Sequence, residues 1–480
     1  MLLAAAAVAA AAALLLRPGP PGPGPAPGAP RLRPDVPVDP ARAYRLRLWD
    51  AALPLPPGEA GQQDVLEAAV GVLRERYPRL EVEITLLPAH EVLPRLLEAL
   101  RQGDPPDVVG LPPQAHPPGP RLHPDAQVPL SPYLPFLFPR TPPPFHTTAL
   151  AAWQAEGILW AWPSWLSWRA WLGERAGAAR AGLNLDEVAA RGWTWTQVVD
   201  WTRSAPRGRA PLLLWTHDVR LLADLLLNAP APAPAGDEGT ARHAGFPAPG
   251  AEAIRAALDF LEQARVLARP GHGEGLRPTG AEPLQRFVSG DAAVIGPVNA
   301  WLLGALLRRS ERGPAREELR LLPIPRAPGA PEIAPWEVAG YAVFRQAAYR
   351  GDAHTRLAVE LALEAADAVG RWLAGRRPVL PAGEETLAAW RAEGPLPPAL
   401  RAFLLDYLAH AAPAPAPASR PLAWGATGDR EALQRAWEDL LAGRLSREAF
   451  VERVLSPTDS GEAGRGPVPT PQPPTGGPGP

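Results

Sequence analysis

The chain has 480 residues, 66 of them Pro, 44 Gly and 17 Trp, with no Cys and a formal net charge of -2. That length exceeds one ordinary hydrophobic core and predicts two or more. The missing thiols exclude disulfides, thiolate metal sites and a cysteine nucleophile. A nearly balanced charge leaves no electrostatic footprint for nucleic acid or an anionic membrane.

Met1 to Leu16 is a continuous apolar run followed directly by Arg17. As a helix it would extend about 24 Å, short of a bilayer core of about 30 Å, so residues 1–17 read as an export signal or membrane anchor. Residues 18–41 are Pro/Gly-rich, can bury almost nothing, and read as a stiff linker. Residues 457–480 are of the same kind and read as a disordered Pro-rich tail.

Between these ends the first elements alternate regularly. Tyr44 to Trp49 has the two-residue period of a strand, and Val65, Leu66, Ala69, Val72 and Leu73 recur at helical spacing before Pro78. Leu80, Val82, Ile84 and Leu86 give a second strand, Val92 to Leu100 a second amphipathic helix, and Asp107 to Gly110 a short buried strand in which Asp107 is read as structural. Such a β-α-β-α-β order predicts a parallel sheet covered by helices, an α/β fold. Residues 112–146 are Pro-rich, with little periodic signal, and read as loop. Downstream, Gly157 to Pro163 suggests a strand, and Thr194 with Gln197 makes a capping box. Helices are expected over Ala251 to Leu267, Asp352 to Leu373 and Arg430 to Leu455, and strands over Leu319 to Pro323 and Val338 to Phe344. In Leu284 to Trp301 a short helix ends at Ser289-Gly290, a small-residue strand follows, and Gly296-Pro297 reads as a break before Trp301.

This last segment resembles the F-x-x-G-x-A-A-M-x-x-x-G-x-W stretch of extracellular solute-binding proteins, the maltose-binding-protein-like receptors of carbohydrate ABC importers. Other matches follow in the family's order. Tyr77-Pro78 with Leu80 to Glu83, and Gly103-Asp104-Pro-Pro-Asp107, resemble its first lobe. Gly157 to Pro163 resembles its first crossing strand, Thr194 to Gln197 its T-W-D-E, and Ala339 to Arg345 its later G-x-G-x-A-I. Ser167 to Trp171 departs from the family's Y-Y-N-K. The likeness spans about residues 42–456.

The resemblance implies a two-lobed periplasmic-binding-protein fold of type II, its lobes joined by crossing hinge strands. Residues 42–162 would form lobe 1, completed by 296–335, and 163–295 lobe 2, completed by 336–456. It implies an extracytoplasmic receptor, anchored or exported, that delivers a sugar or oligosaccharide to transmembrane permease subunits of an ABC importer. The alternative is a surface-anchored glycan-binding or sensory protein uncoupled from transport. A monomer without enzymatic activity, cofactor or nucleic-acid partner is implied. The nine His never fall in His-x-x-x-His spacing, so no metal site is expected either.

Tryptophan suits a carbohydrate, because an indole face covers the apolar C–H face of a sugar ring while the hydroxyls find polar partners at its edge. Trp49, Trp165, Trp168, Trp301, Trp336 and Trp424 match family ligand positions at strand–loop junctions. Asp50, Asp218 and Glu337 are the carboxylates expected to accept sugar hydroxyls. Trp153, Trp195, Trp201, Trp372, Trp390 and Trp437 lie in helical patterns and read as core. No G-x-S-x-G, P-loop or local carboxylate pair points to an enzyme.

Overall fold

The computed structural model describes residues 32–54, 61–113, 122–123, 125–205, 211–216, 218–229, 250–264, 282–308, 316–409 and 427–455. The expected signal or anchor, the first part of the linker, the C-terminal tail and Trp424 lie outside the described residues. Among the described residues no helix is long and apolar enough to cross a membrane.

β1 (Tyr44–Ala52) buries Tyr44, Leu46 and Leu48 and turns the intervening Arg45 and Arg47 outward, as its alternation requires. The helix Gln62–Arg76 follows, sinking Leu66, Ala69, Val70 and Leu73. β2 (Leu80–Pro88) returns parallel to β1, with Tyr44 opposite Leu80. After the helix Ala89–Arg101, β3 (Val108–Leu111) pairs parallel with the other edge of β1. Asp107, at the entry to β3, accepts from the Arg47 amide at 2.8 Å, from Gln346 at 2.7 Å, and faces His354 at 2.8 Å, a bracing role. Within the stretch expected to be loop, residues 112–146, a short helix forms at Leu134–Leu137, and another, Thr147–Ala152, follows directly after that stretch. β4 (Gln154–Ala155) and β5 (Ile158–Leu159) then make a two-residue hairpin pair.

The strand expected over Gly157 to Pro163 is divided between β5 and β6, and β6 runs on from Ala161 to Glu174. Its first half pairs antiparallel with β10 (Trp336–Val343), as far as Trp168 opposite Trp336. From Arg169 onward the same strand pairs with β8 (Val294–Asn299) and β9 (Leu319–Leu322). β7 (Leu212–Leu214) lies parallel to β8, and β11 (Leu380–Pro381) pairs with Leu166 and Trp165 of β6. β6 thus carries the chain from a sheet ordered β2-β1-β3-β10-β6 to a second built on β6, β8, β7 and β9. The change of partner falls between Trp168 and Arg169.

The pairing of the later strands is set by register. β10 lies in the first sheet, where Tyr341 pairs with Gly110. β9 pairs with the second half of β6, Leu322 opposite Trp171. The reason is register: an antiparallel strand joins whichever sheet offers a matching free edge, and no local periodicity reports which one that is. The helix Asp352–Ala374 then packs over the first sheet, so close that a Cβ on Gly370 would sit 2.3 Å from the Ser164 carbonyl oxygen. Trp162 and Ser164 of β6 donate to its Val359 and Ala366 carbonyls at 3.1 and 2.6 Å.

Two further expectations change. The strand β8 continues through Gly296-Pro297, where a break was read; Gly296 is needed because a Cβ there would meet the Trp171 ring at 2.4 Å. The linker read as 18–41 is docked on lobe 1 from Leu32. Val38 is buried, the Arg33 amide donates to Asp352 at 3.1 Å, and Arg356 donates to the Pro34 carbonyl at 3.2 Å.

Among the described residues the buried apolar side chains form two cores. The larger runs from the first sheet to one face of the second, through residues such as Leu172, Ile295 and Leu321. The smaller lies on the opposite face, where Trp171, Leu212 and Val294 meet the helices Leu185–Arg191, Trp195–Ser204, Arg220–Leu227 and Ala251–Gln263. The helices Thr427–Leu441 and Arg447–Leu455 close this core through Trp437 and Phe450. Trp153, Trp195, Trp201, Trp372, Trp390 and Trp437 are all buried, as their helical spacing implied. The capping box forms: Thr194 accepts from the Gln197 amide at 3.3 Å, and Gln197 accepts from the Thr194 amide at 2.7 Å.

Candidate functional site

Candidate residues gather in two groups where the sheets meet. The first lies at the carboxyl ends of β1 and β3. Asp50 points inward from β1, its Oδ2 accepting from Gln62 and from the Tyr341 hydroxyl, each at 2.7 Å, and its Oδ1 from the Ala51 amide at 2.8 Å. Tyr341 belongs to β10, two strands away, and reaches Asp50 across Gly110 of β3. A Cβ on Gly110 would stand 2.0 Å from Asp50 Oδ1, so only glycine admits this contact. Burial pushes the Asp50 carboxyl up to about 6 despite these three donors, and burial with the neighbouring Asp50 pushes Tyr341 well above its ordinary range. Asp50, Gln62, Gly110, Trp165, Ala339 and Tyr341 line a small recess here, with room for about one water.

Trp165 sits in β6 at the edge of this recess and meets Trp301 edge-on, with ring centroids 6.2 Å apart at 87°. Trp165 is buried, whereas Trp301, just after β8, is half-buried, as is Trp49 beside Asp50.

The second group surrounds Arg169, the first β6 residue on the second sheet. Its Nε lies 2.8 Å from both carboxylate oxygens of Asp224, and Nη1 reaches the Glu337 carboxylate of β10. Asp224 is fully buried. Burial raises the Asp224 carboxyl, opposed by Arg169. For Arg169 burial acts downward, but the two carboxylates outweigh it and the guanidinium is held firmly charged. Asp218 lies two residues before the Arg220–Leu227 helix, accepting from the Arg220 amide at 2.9 Å and pairing with its side chain at 2.7 Å. The turn before it is held by Trp437, which donates to Thr216, and by Gln434, which accepts from the Val219 amide at 3.1 Å.

Trp168 and Trp336 face each other in register, and both are buried. The Trp168 indole donates to the Pro378 carbonyl at 2.7 Å, and Trp336 lies 6.4 Å from the Tyr407 ring. Of the residues singled out in the sequence, Asp50, Trp165, Trp168 and Trp336 are therefore enclosed by protein. Glu337 and Asp218 are paired with Arg, and Trp49 and Trp301 keep an accessible part. Sequence reasoning passed over Gln62, Tyr341, Arg169, Arg220 and Asp224. Two of these carried a signal: Arg169 is the lone charge in Ala161 to Leu172, and Asp224 the lone acid among Leu221, Leu222 and Leu225 to Leu227. Among the described residues no group of His, Cys, Asp or Glu is arranged to hold a metal ion.

No protein-family model matches the chain, and no curated protein sequence matches it. Solved structures do. An oligosaccharide periplasmic-binding protein, so assigned, of Synechococcus sp. MITs9220 is 21% identical, with a TM-score of 0.59 over 85% of this chain and 96% of its own. The ABC substrate-binding protein Lmo0181 from Listeria monocytogenes, in complex with cycloalternan, is 14% identical with a TM-score of 0.60, covering 86% and 97%. Maltose-bound MalE3 of T. maritima is 15% identical with a TM-score of 0.58, covering 86% and 98%. Likeness at such low identity, extending over nearly the full length of each neighbour, is likeness of fold: the chain has the two-lobed α/β architecture of type II periplasmic binding proteins.

Proposed function

We propose that the protein is an extracytoplasmic receptor for a sugar or oligosaccharide, which closes its lobes on the ligand and presents it to the permease subunits of an ABC importer. The observation that carries this reading is the Trp165–Trp301 pair at the junction of the two sheets, in a fold whose solved neighbours include proteins bound to maltose and cycloalternan. Open α/β sheets bind ligands at the carboxyl ends of their strands, and a half-buried indole there offers a flat apolar face to a pyranose. Trp301 and Trp49 would stack on the ligand. Trp165 would brace Trp301, while Asp50, Trp168 and Trp336 shape the wall from beneath. Asp218 and Glu337 would accept hydroxyl hydrogen bonds at the rim, and Trp424 would add a further stacking face. Binding without chemical conversion, by a monomer, follows from the same reading, as does placement outside the cytoplasm.

A ligand that binds only the folded state stabilises it by RT ln(1 + [L]/Kd), about 2.7 kcal/mol at a hundredfold excess over Kd. A panel of mono- and oligosaccharides should therefore contain at least one that raises Tm by several degrees, with no product formed. Trp301→Ala should weaken that binding by about 1–3 kcal/mol, the loss expected for an aromatic anchor. A shift from amino acids or polyamines with none from any saccharide would refute the proposal.

A further inference from the structure

The ion cluster around Arg169 lies where the chain passes between sheets, and its members come from both sides of that passage. Arg169 follows Trp168, the last β6 residue paired with β10, and itself pairs with Asn299 of β8. Its amide donates to the Pro335 carbonyl at 3.2 Å, just before β10 begins. Glu337 belongs to β10 and the first sheet. Asp224 belongs to a helix whose Leu221, Leu222, Leu225 and Leu226 fill the smaller core on the far face of the second sheet. The guanidinium therefore holds one carboxylate from each lobe, with side-chain exposures of only 15% for Arg169 and 0% for Asp224.

The same helix grips the return passage. Asn228, directly after it and fully buried, donates to the Ile333 carbonyl at 3.0 Å and accepts from the Ile333 amide at 2.8 Å. Its own carbonyl accepts from the Ala327 amide at 2.8 Å. Both described passages, β6 at Arg169 and the segment entering β10, are thus fastened to one helix of the second lobe.

Buried ion pairs rarely add net stability over apolar packing, because desolvation offsets the attraction; what they supply is one fixed geometry. Arg offers this through a planar fork that can bind two carboxylates at once, which a Lys ammonium cannot do with the same directionality. We propose that Arg169 is a positioning residue of the hinge: by bridging Glu337 and Asp224 it pins the axis about which the lobes rotate and limits how far they open. This goes beyond the proposed function and rests only on its lobe-closing element, not on the identity of any ligand.

The test uses ligand-free protein. The chain contains no Cys, so Val72→Cys on the first lobe and Arg191→Cys on the second supply unique labelling sites. Val72 is 47% exposed and the Arg191 side chain 78% exposed. Interlobe distances are read by pulsed electron paramagnetic resonance. Glu337→Gln takes the charge from the cross-lobe half of the bridge and leaves Arg169 paired with Asp224. Its distance distribution should become broader and longer than the parent's. Glu360→Gln is the control. Glu360 is a buried carboxylate paired with Arg76 at 3.1 Å and Arg356 at 3.3 Å wholly within the first lobe, and its loss should lower Tm while leaving the distribution unchanged. If Glu337→Gln does not fold, Arg169→Lys keeps the charge, loses the fork, and should broaden the same distribution. An unchanged distribution in the hinge variants, or equal broadening in Glu360→Gln, would overturn the assignment. A protein that binds no saccharide but shows the hinge effect would sink the proposed ligand and leave the hinge inference standing.

Discussion

Asp50 makes a prediction whose sign can be worked from the structure. Burial pushes its carboxyl up to about 6, against 3.8 for the ordinary side chain. A carboxylic acid whose folded value is raised binds its proton more tightly in the folded state. Its contribution to stability is therefore fully present below about 3.8 and is lost as pH rises through about 6. The gap corresponds to about 3 kcal/mol at 1.36 kcal/mol per pH unit. Other carboxylates titrate over the same range, so the useful quantity is a double difference. Urea unfolding of the parent and of Asp50→Asn would be measured at pH 4 and pH 7.5. The Asn side chain carries no charge to bury, and it retains an acceptor for the Tyr341 hydroxyl. Relative to the parent, Asp50→Asn should gain about 2–3 kcal/mol on moving from pH 4 to pH 7.5. A stability difference independent of pH would refute the argument and show that the carboxylate is solvated or fully compensated by Gln62, Tyr341 and the Ala51 amide.

Gly110→Ala should cost about 1–3 kcal/mol and flatten the same pH dependence, because the added Cβ displaces Asp50 from Tyr341; thermal melts at two pH values read both effects. Trp195→Ala removes a ring stacked 5.4 Å from Phe260 and an indole donor to Pro325 at 2.8 Å. It should cost about 3–5 kcal/mol in denaturant unfolding while leaving affinity per folded molecule unchanged. A chain beginning at Leu32 should fold as the parent does. One beginning at Arg42 exposes the site of Val38, strips two partners from Arg356 and should lose about 2 kcal/mol.

The first lobe was legible as far as β3 because its elements are local. A two-residue alternation in Tyr44 to Trp49 and a helical repeat in Val65 to Leu73 each state which face is buried, and the β-α-β order then dictates parallel pairing. Core tryptophans were recognised for the same reason: Trp195 and Trp201 stand on helices with a clear apolar face. The strands that β9 and β10 pair with were not legible. Their place depends on which edge of a distant strand accepts them. The electrostatic sites were hidden for a related reason. Tyr341 reaches Asp50 across 291 positions of sequence, and Arg169 reaches Glu337 across 168. A lone Arg in an apolar strand and a lone Asp in a leucine helix each imply a buried partner, yet only the folded chain says which one. Periodicity is a property of neighbours along the chain and survives in one dimension. The partner of a buried charge is set by antiparallel register and by glycines such as Gly110 that let side chains pass, and those exist only once the sheets have closed.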